Sequence, residues 1–211
     1  SRDYFGRLRD FPYAALFESN EPVWEALARL EGYLRAAVGE ADAHEAAGDD
    51  LKGLRVEEGL AVIGGLFAAD RTIRIPRIDV LIEGGVRIEP GVVVKGPSVL
   101  CAGAELRHGA YLRGSCLIGP GAIVGHATEV KNSVFLNHAE AGHFAYVGDS
   151  LVGTNANLGA GTKLANLEFR TEEEKRSHNS GNVVIRVGVE TIDTGLRKFG
   201  AVVGDDSEIG C

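Results

Sequence analysis

An aliphatic residue returns at every sixth position through the middle of this 211-residue chain: Ile82, Ile88, Val94, Leu100, Leu106, Leu112, Ile118, Val124 and Val130. Four residues after each stands a second set: Val86, Val92, Ser98, Ala104, Ala110, Cys116, Ala122, Thr128 and Val134. These are small or β-branched, and none is charged. A helix repeats near 3.6 residues and a half-buried strand at 2, so neither explains a six-residue beat. A short fixed period is the mark of stacked turns, here a parallel β-helix of hexapeptide repeats, and the expected fold class is mainly β. The 29 glycines suit the tight corners such a coil needs.

The beat continues as Phe135, Ala141, Val147, Val152, Leu158 and Leu164, with shortened five-residue steps from Val130 to Phe135 and from Val147 to Val152. It breaks after Asn166. Residues 167–200 read as an excursion loop, polar over Thr171–Arg176, with a short hairpin near Asn182–Val187. Ala201–Asp205 re-enters the coil. Residues 1–55 read as a helical N-terminal arm, because Val23, Trp24, Leu27, Leu30 and Leu34 follow helical spacing between Pro22 and a stop at Gly39. The coil then occupies 56–211, with 56–80 as an imperfect lead-in. The arm is expected to serve as a cap or a packing arm for the solenoid, whose end strands are otherwise unpaired edges.

A net charge of −8 argues against nucleic acid as a partner. No stretch of 18 apolar residues predicts a membrane span, and no signal peptide is legible. Cys101, Cys116 and Cys211 lack metal-site spacing, which points to a reduced, cytoplasmic protein. The chain has no methionine, and Ile209-Gly210-Cys211 falls within a repeat, so further coils are expected beyond it.

If three hexads close one turn, residues 18 apart stack, or 17 apart across a short step. This places Lys95, Arg113 and Lys131 in one column and His108, His126 and His143 in another. Beside the histidines run Arg107, Gly125, Gly142 and Gly159, whose glycines would let a ligand approach the backbone. Stacked cations repel unless something anionic sits among them, and a phosphate or diphosphate would resolve the conflict. The histidines have three readings: a general base with structural neighbours, metal ligands, or plain corner residues. His143 stands above the others because it adjoins the glycines and the basic column. A neutral imidazole suits deprotonating an attacking amine. His138 and His143, five apart, also fit a zinc site of the γ-carbonic-anhydrase kind, but the third position falls near Gly103 and Ala104.

Three segments, 125–133, 141–149 and 157–162, resemble the acetyltransferase half of the bifunctional N-acetylglucosamine-1-phosphate uridylyltransferase/glucosamine-1-phosphate acetyltransferase family. The likeness covers about 80–166 and 197–211. The arm and excursion look more like stand-alone hexapeptide proteins related to UDP-N-acetylglucosamine pyrophosphorylase, without a nucleotidyltransferase signature loop. The resemblance implies a left-handed β-helix, a homotrimer and acetyl-CoA as co-substrate. It implies His143 as catalytic base, supported by Glu129, and Arg113 and Lys131 as phosphate-holding cations. It further implies Tyr146 and Asn157 as sugar contacts, Lys198 as a substrate lysine supplied by a neighbouring subunit, and Asn166 beside the coenzyme. Leu167 departs from an aromatic position, and Cys211 from a small hydroxylated one. The expected activity is N-acetylation of a phosphorylated or nucleotide-linked amino sugar. The alternative is a non-catalytic trimeric module that binds a sugar phosphate or nucleotide sugar.

Overall fold

The computed structural model describes residues 4–17, 20–46, 51–167, 169, 171–177 and 181–211; other positions of the expected arm and excursion lie outside the described residues. The repeat winds into a mainly β solenoid of about five turns, with parallel stacked coils. Each turn contributes one short strand to each of three sheets. The arm-side sheet stacks Val80–Ile82, Ser98–Leu100, Cys116–Ile118, Ser133–Phe135, Leu151–Val152 and Val202–Val203. The histidine sheet stacks Arg87–Ile88, Glu105–Leu106, Ile123–His126, Glu140–His143, Asn157–Leu158 and Glu208–Ile209. The cation sheet stacks Val93–Lys95, Tyr111–Arg113, Glu129–Lys131, Tyr146–Gly148 and Lys163–Leu164.

The register follows the beat. Residues paired between neighbouring turns lie 18 apart before the first short step and 17 apart across it. The inner aliphatics from Ile82 to Val152 form one buried core. Each such side chain contributes about 1.5–3 kcal/mol on leaving water. One position of the second set moves. The five-residue step puts Ser133, not Val134, in register with Ser98 and Cys116. Val134 instead pairs with Leu117 and packs outward with the arm.

Each corner uses residues in the left-handed backbone region. Between the arm-side and histidine sheets the slot passes from Gly121 (φ 64°) to His138 (φ 56°) and Asn155 (φ 55°). Between the histidine and cation sheets it passes from Gly109 (φ 74°) to Ala127 (φ 51°) and Phe144 (φ 52°). The third corner holds Gly114 and Ser115, both with positive φ. At the two short steps it contracts to single residues, Asn132 (φ 44°) and Asp149 (φ 48°). Asn and Asp tolerate this conformation better than other side chains.

The lead-in is a set of antiparallel strands that caps the first turn. Leu60–Ile63 pairs with both Leu54–Glu57 and Val93–Lys95, Phe67–Ala68 with Arg87–Ile88, and Ile73–Ile75 with Val80–Ile82. These strands therefore cover the solenoid end. Of the two roles expected for the arm, cap or packing arm, the structure shows the second: it lies along a flank. Its helix α1 (Glu25–Glu40) runs one residue past Gly39 and buries Leu27, Leu30, Leu34 and Val38. They cluster with an outward apolar column of the arm-side sheet: Leu81, Val99, Leu117, Val134 and Leu151. A sheet apolar on both faces needs cover on both, and the arm supplies it.

The excursion forms a short helix α2 (Glu172–Ser177) in its polar stretch, then an antiparallel hairpin of Val184–Val187 with Glu190–Asp193. It folds back onto the arm, where Phe199 meets Trp24 at 6.0 Å between ring centres. Among the described residues, no helix is long and apolar enough to cross a membrane.

Cys101 and Cys116 are buried and Cys211 is exposed. Burial pushes the Cys116 thiol up to about 12, and burial, aided by Glu83, raises Cys101. Since the thiolate is the reactive form, a thiol-specific disulfide reagent should modify one cysteine of the folded protein and three after denaturation. Rapid labelling of Cys116 in the native state would contradict this packing.

Candidate functional site

A cleft of about 550 Å³ opens where the cation sheet turns into the arm-side sheet. Its solenoid wall carries Arg113, Lys131 and Asp149. Helix α1 forms the facing wall, and Leu196–Lys198 of the excursion closes it. Three of the predicted site residues, Arg113, Lys131 and Lys198, thus line one cleft within one chain.

The cation column is neutralised locally. Arg113 Nη1 donates to Glu129 Oε1 at 2.6 Å, and this bond raises the guanidinium pKa. Lys131 Nζ lies 3.5 Å from Asp149 Oδ2. Lys95 does not reach the cleft; its ammonium stands 5.6 Å from the ring centre of Tyr111. Lys198 has no ion pair among the described residues and is exposed.

Asp149 is the hub of this region. Its carboxylate accepts from Asn132 Nδ2 at 2.8 Å and from the buried amide of Asn166. Asn166 in turn adjoins the hydroxyl of Tyr146. Both would crowd a side chain at position 148, the Tyr146 hydroxyl at 2.6 Å and the Asn166 amide at 2.8 Å from a Cβ there, so Gly148 is needed for them to meet. Burial, followed by the charges of Asp149 and Glu129, raises the Tyr146 pKa.

His143 stands on the histidine sheet, at the opposite edge of the cation sheet from the cleft. It pairs with His126 across the ladder and is exposed. His126 and His108 stack at 5.6 Å with 12° between ring planes. Their Nδ1 atoms face the carbonyl oxygens of His108 and Pro90 at 2.8 and 2.6 Å, so each Nδ1 carries the hydrogen. Both rings are thereby fixed as corner residues. The third ring of this ladder is Phe144, edge-on to His126 at 5.0 Å. Asn157 lies one turn above, with its amide on Glu208 at 3.0 Å. Among the described residues, no three His, Cys, Asp or Glu side chains gather to hold a metal ion.

The glycines beside the histidines serve two purposes. A Cβ on Gly125 would stand 1.7 Å from the Gly142 carbonyl oxygen, and one on Gly159 would stand 2.8 Å from that of Ile209. These two let the next turn approach. Gly142 alone has nothing within 4 Å and is open to a ligand.

No protein-family model matches the chain. A bifunctional protein GlmU of Methanococcus aeolicus is 31% identical over 63% of this chain and 31% of its own length. One of Azorhizobium caulinodans is 33% identical over 67% of this chain and 37% of its own. Its relatives are bifunctional GlmU proteins. A Sulfurisphaera tokodaii relative, a bifunctional sugar-1-phosphate nucleotidylyltransferase/acetyltransferase, is 34% identical over 56% of this chain and 31% of its own length. The chain spans about a third of the length of these relatives.

The GlmU resemblance gave Glu129 the task of supporting His143, whereas in this chain its carboxylate holds Arg113. Asn166, placed by the resemblance near a coenzyme, is tied to Asp149 beneath Lys131. Lys198, expected from a neighbouring subunit, reaches the cleft within its own chain. Reading by resemblance and by column missed Asp149, Asn132 and Arg35, the last of which stands on helix α1 in the facing wall of the cleft. The first two carried a signal, as they are the lone corner residues of the two short steps. Arg35 carried none, because nothing in the repeat says which flank the arm covers.

Two outcomes test this geometry. Gly125→Ala should cost about 3 kcal/mol, since the clash is with backbone, while Gly142→Ala should leave the melting temperature unchanged. Asp149→Ala should cost about 3 kcal/mol in urea denaturation, because it strands a buried amide and removes the partner of Lys131.

Proposed function

We propose that this protein is an acyltransferase that uses acetyl-CoA to acetylate the amine of a phosphorylated or nucleotide-linked amino sugar. The convergence of Arg113, Lys131 and Lys198 on one cleft carries the reading. Such an arrangement on an acidic protein fits a phosphate, with Arg forking two of its oxygens and the lysines acting as point charges. The name of the Sulfurisphaera tokodaii relative, which pairs sugar-1-phosphate nucleotidylyltransferase with acetyltransferase, supports the same class.

In this scheme His143 takes the proton from the sugar amine as its nitrogen attacks the thioester carbon. The carbon–sulfur bond then breaks, the departing thiolate takes the proton back from the His143 imidazolium, and coenzyme A leaves as the thiol. Gly142 leaves room for substrate beside the base, and main-chain N–H groups would stabilise the oxyanion. Tyr146 and Asn157 contact the sugar. His143 and the cation cleft lie at opposite edges of one sheet, so we place the working site where copies of the chain meet, in a homotrimer.

A specific observation keeps a second reading in view. His143 is exposed, and Glu129 is committed to Arg113. A module that binds sugar phosphate without transferring an acyl group would look the same. Coenzyme A release measured with acetyl-CoA and glucosamine-1-phosphate separates the two. Transfer should fall about 10²–10⁴-fold in His143→Ala with little change in KM, whereas Arg113→Ala and Lys131→Ala should raise KM. Full activity in His143→Ala would remove the base from the scheme, and calorimetric binding without turnover would favour the second reading.

A further inference from the structure

The phosphate reading accounts for one wall of the cleft. The facing wall is helix α1, which presents Leu27, Glu31 and Arg35 to the same space. Arg35 is held in position. Its guanidinium donates to Glu31 at 3.0 and 3.3 Å and to Asp79, which belongs to the solenoid. One face of the helix therefore brings a fixed guanidinium across the cleft from Arg113 and Lys131. Leu27 of the helix and Leu196 of the excursion supply apolar surface between the cationic walls.

The size exceeds what a sugar monophosphate needs. A volume near 550 Å³ falls in the range of about 300–1,000 Å³ typical of sites for drug-sized ligands. Arg35, Arg113, Lys131, Arg197 and Lys198 line the cleft with Glu31 and Asp149, while Asp79 and Glu129 hold Arg35 and Arg113 from outside the lining. A single phosphate at Arg113, Lys131 and Lys198 would leave Arg35, on the far side, with its carboxylate partners Glu31 and Asp79 alone.

Resting on the reading of this cleft as a phosphate site, we propose that its ligand is a nucleoside-diphosphate sugar. One phosphate sits at Arg113, Lys131 and Lys198, and the second is bound by Arg35. The N-terminal arm is then part of the binding site as well as cover for the arm-side sheet, and Arg35 selects diphosphate esters over monophosphates.

Calorimetry with two probes, glucosamine-1-phosphate and UDP-glucosamine, tests this. The wild-type protein should bind UDP-glucosamine at least tenfold more tightly. Arg35→Gln should erase that advantage while leaving affinity for glucosamine-1-phosphate within about twofold, since only the second phosphate loses a partner. Asp79→Asn removes the same ion pair but keeps the cation, so it should retain the preference. Equal affinities in the wild type, or equal weakening of both probes by Arg35→Gln, would overturn the proposal. The wild-type comparison decides even if Arg35→Gln does not fold. Binding of glucosamine-1-phosphate alone would sink the diphosphate assignment and leave the phosphate site standing. Binding of neither probe would sink the phosphate site itself.

Discussion

One backbone requirement governs this molecule: each turn must hydrogen-bond to the turns above and below in fixed register. Inner side chains cannot slip without leaving the core, so any change in turn length has to be absorbed at a corner. Both five-residue steps are absorbed where the cation sheet meets the arm-side sheet. There the paired corner residues Gly114 and Ser115 give way to Asn132 and then Asp149. Stacked one above the other, these two hydrogen-bond through their side chains, and Asp149 collects Lys131 and Asn166 as well. Losing one residue per turn thus creates the acidic hub that organises the cleft.

The electrostatics of the cleft follow from that hub. Arg113 and Glu129 are each more than a third exposed as side chains. A pair this wet contributes no more than about 1 kcal/mol to stability. Its role is to hold the guanidinium in one place. The same weakness lets a phosphate join or replace the carboxylate at little cost, so the cations are fixed in position yet available. The Asp149 carboxylate, almost wholly buried, is different. Its bond to Asn166 satisfies a buried amide that could not turn to water, and with Lys131 and Asn132 it holds the lysine end of the site together.

Much of this was legible in the repeat. The beat fixed the inner column, and the offsets of 18 and 17 aligned His126 with His143 and Lys95 with Arg113. What the repeat concealed was anything pointing outward. Leu81, Val99, Leu117, Val134 and Leu151 recur only once per turn, on one sheet, so the six-residue beat does not single them out. Which flank the arm packs on was therefore not legible. The glycine column misled in a related way. Gly125 and Gly142 look identical in sequence, and only the direction of the missing Cβ separates a packing requirement from an open approach. Partners across turns, such as Asp149 with Asn166, depend on rotamers that a column cannot supply.

The covered flank also constrains how copies of the chain can associate. A three-sided coil offers three flat faces, and here one of them is occupied by the chain's own arm and excursion. The two that remain are the histidine sheet, with His143 and Asn157, and the cation sheet, with Tyr146, Glu129 and Arg113. Face-to-face contact between copies must therefore use surfaces that carry candidate site residues. Under the proposed reading, assembly and chemistry share the same side chains, and a substitution chosen to disrupt one would disturb the other.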